Sequence, residues 1–260
     1  MDLVEYELRG TVAHLTLNAS NSLNALSDAM LAALKARFEA LAESEAKVIV
    51  LKGAGKVFCA GHDLKEMQAG RESADQGRAY FADLFHRCGE VMQMIPALPQ
   101  PVIASVHGIA TAAGCQLVAS CDLAIAAQGT RFGVNGINIG LFCSTPMVAL
   151  TRNIPRKFAF EMLTTGEFID ADRARELGLI NRVAPHADLD TQTNHLAETL
   201  SAKLGAAVKI GKRAFYDQLP MDLNAAYAHT AAVMVENMLA RDTNEGVQAF
   251  IEKRKPDWAE

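Results

Sequence analysis

The chain has 260 residues, of which 50% are hydrophobic and 21% charged, and its formal net charge is -5 at pH 7. This composition suits a globular protein with a large core, and the length favours one large domain or one domain with an appendage. A negative net charge, with no basic cluster denser than EKRK at 252–255, argues against nucleic-acid binding.

The N-terminus and the cysteines bear on location. The run MDLVEYELRG begins acidic and strand-like, so we predict neither a signal peptide nor a transit peptide. No apolar run approaches the roughly 20 residues needed to span a bilayer. The five cysteines show no CxxC or Cys/His metal-ligand spacing, which favours reduced thiols in an intracellular protein. We therefore expect a cytoplasmic protein without a metal site and without membrane contact.

Short strands and helices alternate from the N-terminus onward. VEYELRGTVAHLTLN predicts a hairpin around Arg9-Gly10, and KVIVLKG, VIASV, LAIAA and RFGV predict further short strands. Two apolar sets at helical spacing predict helices, and the prolines at 96, 99 and 101 are expected to break the second. The members of these sets are Met30, Leu31, Leu34, Phe38 and Leu41, then Phe81, Leu84, Phe85, Cys88, Met92 and Ile95.

The second half is richer in helices. In STPMVALTRNI, Ser144 or Thr145 is predicted to cap a helix, and Gly166 and Gly178 are typical helix stops. From about residue 188 the pattern is almost wholly helical. Two short strands followed by a helix recur about every 50 residues, which suggests a coiled stack of ββα units. We predict an α/β core over residues 1–187 and a helical region over residues 188–260.

Two stretches share a strand–loop–helix construction. They are GKVFCAGHDLKEM at 55–67, where Asp63 is a candidate N-cap, and HGIATAAGCQL at 107–117. Each loop offers unpaired backbone N–H groups among small residues, which let a ligand approach closely. If the loops converge, they could stabilise one negatively charged oxygen. The alternative is a pair of ordinary connections between strands and helices.

These stretches strongly resemble the crotonase (enoyl-CoA hydratase/isomerase) superfamily. So do LNALSDAM at 23–30, EMLTTGEFIDADRARELGLINRVAP at 161–185 and AFIEKRKPDW at 249–258, while GLFCSTPMVAL resembles the enoyl-CoA-hydratase-domain-containing branch. The resemblance implies a spiral of ββα units and a C-terminal helical trimerisation region, hence a homotrimer or a dimer of trimers. It also implies binding of acyl-CoA or enoyl-CoA thioesters, with coenzyme A as part of the substrate and no permanently bound cofactor.

Matched to the family's motifs, the two oxyanion-hole N–H groups fall on His62 and Ala113. The family usually has alanine and glycine there, but the donors are backbone groups, so both substitutions preserve them. Lys65 matches a lysine near the CoA phosphates, and Phe250 and Lys253 match positions that contact CoA, in some members from a neighbouring subunit. The other implied substrate-binding residues are Asn24, Ala25, Leu26, Ala60, Gly61, Asp63, Leu64, Ile109, Ala110, Asn135 and Ser144.

The sequence departs from the family at both catalytic glutamates. One aligns with Gln116 and the other with Gly136, so the paired carboxylates that activate water and protonate carbon are missing. The His62 imidazole is a candidate substitute, since its ordinary pKa suits proton transfer near neutral pH. A nucleophilic Cys143 would need a base, and a small buried hydrophobe is the favoured role for it. For His107 a structural hydrogen bond is favoured.

Three functions remain open. The first is a lyase or isomerase that acts on acyl-CoA thioesters, and thioester hydrolysis or decarboxylation would also suit an oxyanion hole. The second is an acyl-CoA-binding protein that has lost its chemistry, which the replaced glutamates favour. The third is an RNA-binding member of the same fold, which the negative charge disfavours.

Overall fold

Two sheets organise the first two thirds of the chain. The computed structural model describes residues 2–258, and the hairpin around Gly10 is present because that glycine adopts a positive φ of 59°. The strands are β1 Val4–Arg9, β2 Val12–Leu17, β3 Val48–Gly53, β4 Val102–Val106, β5 Ile109–Thr111, β6 Leu123–Ala127, β7 Arg131–Gly133, β8 Ile169–Asp170 and β9 Arg182–Ala184.

The helices lie between these strands and after them. They are α1 Asp28–Ala42, α2 Leu64–Arg71, α3 Arg78–Ala97, α4 Ala113–Ser120, α5 Ser144–Asn153, α6 Arg156–Thr165, α7 Ala171–Leu177, α8 Leu189–Ser201, α9 Gly205–Gln218, α10 Leu223–Leu239 and α11 Arg241–Glu252. The predicted change to an almost wholly helical pattern near residue 188 therefore coincides with the start of α8.

The larger sheet has the strand order β1-β2-β3-β4-β6-β9, in which only the β1–β2 hairpin is antiparallel. The smaller sheet has the order β5-β7-β8. The order strand–strand–helix recurs in β1-β2-α1, β4-β5-α4 and β6-β7-α5. Because equivalent segments of successive turns lie side by side, the loops after the strands are stacked along one edge of the spiral.

The core occupies both faces of the larger sheet. One cluster joins the sheet to α1, α3 and α4, and all five apolar residues predicted for the first helix are buried in it. On the other face α8 packs through Leu189, Leu196 and Ala197 against the strands. No helix within residues 2–258 is long and apolar enough to cross a membrane.

Helix α9 is fastened to this core by a buried polar group that we call the Asp122 cluster, formed by Asp122, Lys212 and Tyr216. The Lys212 ammonium donates to the carbonyls of Ile95 and Gln100, both at 2.8 Å, and to Asp122 at 2.6 Å. The Tyr216 hydroxyl donates to the other Asp122 oxygen at 2.7 Å. Asp122 also accepts the N–H of β4 Val102 at 2.6 Å.

The predicted cap of α5 is wrong. Its N-cap is Cys143, and Ser144 is the first helical residue, whose hydroxyl donates to the Phe142 carbonyl at 3.4 Å instead of accepting a helix N–H. The prolines end α3 as predicted, because the helix stops at Ala97 before Pro99 and Pro101, although Pro96 itself still lies in the last turn. Gly166 and Gly178 do end α6 and α7, with φ values of 68° and 86°.

Candidate active site

The two strand–loop–helix stretches meet in the structure. Cys59 forms a parallel bridge with Ala110, and the Thr111 N–H donates to the Cys59 carbonyl at 3.1 Å. The loop that follows Cys59 therefore runs beside the loop that leads into α4. This arrangement brings His62 and Ala113 to the same edge of the spiral, as the convergence hypothesis requires.

Two glycines permit this close approach. A Cβ atom on Gly61, whose φ is 88°, would lie 3.0 Å from the Ala112 Cβ and 3.3 Å from the Ala113 nitrogen. A Cβ atom on Gly114 would lie only 2.3 Å from the Cys59 carbonyl oxygen. Real Cβ atoms do not come as near to a backbone atom as the contact at Gly114, and the contacts at Gly61 are tighter than most real ones. A side chain at either position would therefore press the two loops apart, and at Gly61 it would also be strained by the positive φ.

The backbone N–H groups of His62 and Ala113 have no hydrogen-bond acceptor within residues 2–258. Ala113 begins α4, so its N–H belongs to the unpaired, positively polarised end of that helix. Ala112 precedes it with φ 50° and ψ -121°, a conformation that non-glycine residues rarely adopt. Such strain is typical of functional sites and here orients the peptide that carries the Ala113 N–H.

The His62 side chain occupies a half-buried position against α3. Its Nδ1 lies 3.4 Å from the Leu26 carbonyl oxygen, which can only accept, so Nδ1 carries the proton. Its Nε2 is buried without a partner. Burial lowers the pKa of this imidazole, and Arg87 lowers it further, against the opposing effects of the Leu26 carbonyl and Asp28. The ring is therefore neutral at neutral pH, with a free lone pair on Nε2.

Gln116 lies in the first turn of α4 and is 4% exposed. Its Oε1 is buried with no hydrogen-bond donor. Side chains on a helix lean toward its N-terminus, which directs this amide back toward Ala112 and Ala113. A buried acceptor without a donor costs roughly 1–3 kcal/mol, so this position favours contact with a bound molecule over a purely structural role.

Gly136 lies in a short helical turn after β7 and leaves no room for a side chain. A Cβ atom there would lie 2.4 Å from the Leu141 carbonyl oxygen and 2.8 Å from the Cys143 sulfur. The nearby thiols are buried, and burial raises the pKa of Cys143 and raises that of Cys115 to about 12. Cys143 is thus packed as a hydrophobe, in agreement with its predicted role, and has no thiolate for nucleophilic attack.

The loop of Asn24, Ala25 and Leu26, which the resemblance places among the substrate-binding residues, is held by hydrogen bonds within the protein. The Asn24 side chain is 0% exposed and donates to the carbonyls of Ala54 at 2.8 Å and Val57 at 2.9 Å, while its oxygen accepts the Ala19 N–H. Ala25 and Leu26 are buried as well. Since these side chains are used within the protein, contact between this loop and a ligand would have to come from its backbone.

The other predicted residues of the first loop are more accessible. Asp63 caps α2 as predicted, accepting the Lys65 N–H at 2.8 Å and the Glu66 N–H at 3.4 Å. Leu64 and Lys65 are exposed at the start of α2, and Ala60 is half-buried. Lys65 therefore has a free side chain beside the two loops.

The remaining predicted residues lie in the second stretch and in the segments that follow it. Ile109 is half-buried and Ala110 buried in β5, and the neighbouring Thr111 hydroxyl donates to Asn135 at 2.6 Å. The Asn135 oxygen is thus occupied by a structural bond. Ser144 is exposed at the start of α5. His107 contacts the Gly55 carbonyl at 2.9 Å, the structural hydrogen bond expected for it.

Phe250 and Lys253 lie elsewhere in the chain. Phe250 on α11 is 85% exposed and lines an apolar groove with Leu204, Val247 and Trp258. Lys253 ends the same helix and is exposed. Within one chain neither residue joins the two loops, so a role in this site would require a neighbouring subunit.

Sequence reasoning missed a polar group behind His62. Arg87 on α3 pairs with Asp28 on α1 at 2.7 Å, and Glu66 is half-buried and accepts the Asp28 N–H at 2.8 Å. Burial, then the negative charges of Asp28 and Glu66, raises the pKa of the Tyr80 hydroxyl beside this group. Within residues 2–258 no group of three or more His, Cys, Asp or Glu side chains could hold a metal ion.

Comparisons with known proteins extend these observations. A family model described as enoyl-CoA hydratase/isomerase matches residues 7–260. A Mus musculus protein named enoyl-CoA hydratase domain-containing protein 3, mitochondrial, is 47% identical over 249 residues, which are 95% of this chain and 81% of that protein. Similar rat and human proteins share this name. The word mitochondrial in it contradicts our expectation of a cytoplasmic location. That expectation was wrong because composition and an acidic N-terminus do not determine the compartment.

Two crystal structures match the whole fold. An enoyl-CoA hydratase of Mycobacterium smegmatis is 53% identical, with a TM-score of 0.95 and 99% coverage of both chains. Human enoyl-CoA hydratase domain-containing protein 3 is 45% identical, with a TM-score of 0.94 and coverage of 98% of this chain and 100% of that one. The predicted α/β spiral of ββα units and the predicted likeness to the domain-containing branch are thereby confirmed.

Proposed function

Because the chain belongs to the enoyl-CoA hydratase/isomerase family, we propose that it is an enzyme that binds acyl-CoA thioesters and stabilises negative charge on the thioester carbonyl oxygen. This proposal rests on the backbone N–H groups of His62 and Ala113, neither of which has a hydrogen-bond acceptor. The two loops that carry them come close together because Gly61 has no side chain. Each such donor is worth about 3–4 kcal/mol of transition-state stabilisation.

The proposed chemistry differs from hydration by two carboxylates. Gln116 exchanges no proton near neutral pH, and a side chain at Gly136 would collide with the Leu141 carbonyl. The neutral His62 imidazole, with its free Nε2 lone pair, is the candidate base in this chain. Isomerisation through an enolate needs one base and an oxyanion hole, and thioester hydrolysis needs an oxyanion hole and an activated water, so both remain alternatives to hydration.

The second candidate function is acyl-CoA binding without turnover. Crowding at Gly136 favours this second function, because the Leu141 carbonyl oxygen lies where the side chain of a second acid would begin. The unpaired N–H groups suit binding as well as catalysis and do not separate the two functions.

Mass spectrometry of enoyl-CoAs incubated with the protein, in heavy-oxygen water and separately in D₂O, tests these proposals. Labelled oxygen in the product, abolished by His62→Ala or Gln116→Ala, means hydration. Deuterium uptake without oxygen uptake means isomerisation or enolisation, and release of free CoA means thioester hydrolysis. Unchanged masses with tight binding on the same samples support the binding protein, and no binding of any thioester overturns both candidate functions.

Gln116→Glu sharpens the test because it restores one carboxylate without changing shape. If only this acid is lacking, the variant gains hydration that the wild-type protein lacks. Gly136→Glu is no equivalent restoration, since the Leu141 carbonyl would first have to move.

We also propose that residues 188–260 mediate assembly into homotrimers or dimers of trimers. Helices α9 and α10 expose several large apolar side chains, among them Leu223, Tyr227 and Leu239. Contiguous exposed apolar surface favours burial against another subunit. Sedimentation of the purified protein as a monomer at micromolar concentration would contradict this proposal.

A further inference from the structure

A polar cleft lies against strands β1, β2 and β3. Its volume is about 580 Å³, within the range typical of small-molecule sites. Its lining includes Glu5 on β1, His14 and Thr16 on β2, and Lys52 on β3. None of the residues that line it belongs to the two strand–loop–helix stretches, so the proposed acyl-CoA site does not account for this cleft.

The strand register places these side chains on one face of the sheet. Thr16 is paired with Glu5 on one side and with Lys52 on the other. Residues in register on neighbouring strands point to the same face, as do residues two apart along a strand, such as His14 and Thr16. Neighbouring strands are about 4.8 Å apart, so Glu5, Thr16 and Lys52 form a row about 10 Å long.

His14 is the most deeply buried residue of the cleft. It is 5% exposed, and its ring makes no hydrogen bond within residues 2–258. Burial, then the positive charges of Arg9 and Lys52, lowers the pKa of the imidazole, so the ring is neutral at neutral pH and keeps one N–H donor and one lone pair. A buried polar side chain without a partner calls for an explanation, and here it lines a cleft that can hold a ligand.

The two ends of the row lack a partner of opposite charge. Glu5 accepts a bond from the neutral amide of Asn18, at 2.6 Å, and forms no ion pair within the described part of the chain. The Lys52 side chain, also within residues 2–258, forms neither an ion pair nor a hydrogen bond, and it is half-buried. Lys52 acts electrostatically on His14, which places its ammonium near the buried imidazole.

The other carboxylates around the cleft are already balanced. Glu7 accepts two bonds from Arg9, at 2.8 and 2.7 Å, and Asp2 pairs with Arg37. One anion and one cation therefore remain at opposite ends of the row. A ligand with a single charge would satisfy one end only, whereas a zwitterion would satisfy both.

A free α-amino acid has the charges and the length that the row requires. Its ammonium and carboxylate lie about 3 Å apart. A charge-assisted hydrogen bond of about 2.8 Å on each side extends this span to about 9 Å, close to the length of the row. The Thr16 hydroxyl lies between the two ends, and the imidazole of His14 is next to it along the strand.

We propose that this cleft binds a free α-amino acid, with the ammonium on Glu5, the carboxylate on Lys52 and Thr16, and the imidazole of His14 as a further hydrogen-bonding partner. This ligand is separate from the proposed thioester. The half-buried position of Lys52 and Thr16 would strengthen the bonds to the carboxylate.

Isothermal titration of the wild-type protein with L-alanine, L-leucine, L-phenylalanine and L-glutamine tests the proposal. At least one of them should bind with a Kd below about 1 mM. Its N-acetyl derivative lacks the ammonium and its carboxamide lacks the carboxylate, so each should bind at least about tenfold more weakly. Inorganic phosphate, titrated in the same way, is an anion without an ammonium.

Two variants remove one charge each from the ends of the row. Glu5→Gln and Lys52→Met should each weaken amino-acid binding at least about tenfold. Glu43→Gln and Lys157→Met make the same changes at exposed residues outside the cleft and should keep the wild-type affinity. Thermal unfolding of all four variants shows whether they are folded, and the derivatives test the wild-type protein independently of any variant.

The proposal is overturned if none of the four amino acids binds at about 10 mM, if the derivatives bind as tightly as the amino acid itself, or if either cleft variant keeps full affinity. Phosphate binding that requires Lys52 but not Glu5, without amino-acid binding, identifies a simple anion site and also overturns it. Weaker binding by both cleft variants and by both derivatives, with the control variants unchanged, supports it. None of these results bears on the proposed function, since the cleft shares no residue with the two loops.

Discussion

The Asp122 cluster and the candidate site are both buried and polar, yet their hydrogen bonding differs. In the Asp122 cluster the lysine ammonium makes three bonds and both carboxylate oxygens accept. In the site, His62 Nε2 and Gln116 Oε1 have no partner, and two backbone N–H groups are unpaired as well.

This difference separates stability from function. A fully paired buried network holds elements together, here α9 against the ends of α3 and α4. A partly paired one is costly to keep in a folded protein and is best explained by a partner that binds later. Substitutions in the two regions should therefore have opposite consequences for stability and for ligand binding.

The largest expected effect is on the stability of the Asp122 cluster. Lys212→Met leaves Asp122, whose side chain is 13% exposed, without its cation, and should lower the free energy of unfolding by about 3 kcal/mol. Urea denaturation measures this change. Lys35→Met, which removes exposed ion pairs with Glu39 and Glu90, is the control and should cost less than about 0.5 kcal/mol. Equal losses in the two variants would contradict the role of the cluster.

Gly61→Ala should have its main effect on ligand binding. The new Cβ would press on Ala112 and Ala113, so we expect acyl-CoA affinity or turnover to fall about a hundredfold as one oxyanion donor is displaced. Gly129→Ala is a matched control, because Gly129 has φ 80° but no atom within 4 Å of the new Cβ.

Both glycine variants should lose about 1–2 kcal/mol of stability from the strained φ. Only Gly61→Ala should lose binding in the same titrations. Intact binding by Gly61→Ala would show that the two loops need not touch.

Two tyrosines give a direct comparison of a hydrogen-bonded hydroxyl with an exposed one. Tyr216→Phe deprives Asp122 of a donor and should cost about 1–3 kcal/mol, whereas Tyr6→Phe, at an exposed residue of β1, should stay within about 0.5 kcal/mol. Thermal unfolding of the two variants side by side measures the difference. Equal destabilisation would contradict a stabilising bond between Tyr216 and Asp122.

The smallest expected effect is the acid dependence of stability. Burial lowers the pKa of His62, so below about pH 6.5 the unfolded chain takes up a proton before the folded protein does. Stability should therefore fall as the pH drops from neutral toward the folded-state pKa of His62. His62→Gln should flatten this part of the curve of unfolding free energy against pH, and a parallel curve would contradict a depressed His62 pKa.

Much of the fold followed from local patterns. The hairpin at Gly10, the amphipathic face of α1 and the helix stops at Gly166 and Gly178 were predictable because turns and helix periodicity depend on neighbouring residues. The loops around Gly61 and Ala113 were found in the same way, from small residues between a strand and a helix. The replacement of the family's two catalytic glutamates by Gln116 and Gly136 was visible in the sequence motifs themselves.

Contacts between distant segments were decided only by the tertiary structure. Asp28 and Arg87 lie on two helices far apart in the chain, and no local pattern shows that they pair beside His62. The collision that a side chain at Gly136 would meet depends on where the later Leu141 carbonyl folds back. The sequence by itself thus determined the elements and the backbone donors, whereas packing determined which polar atoms are paired, because a hydrogen bond depends on distances that the chain acquires only when it folds.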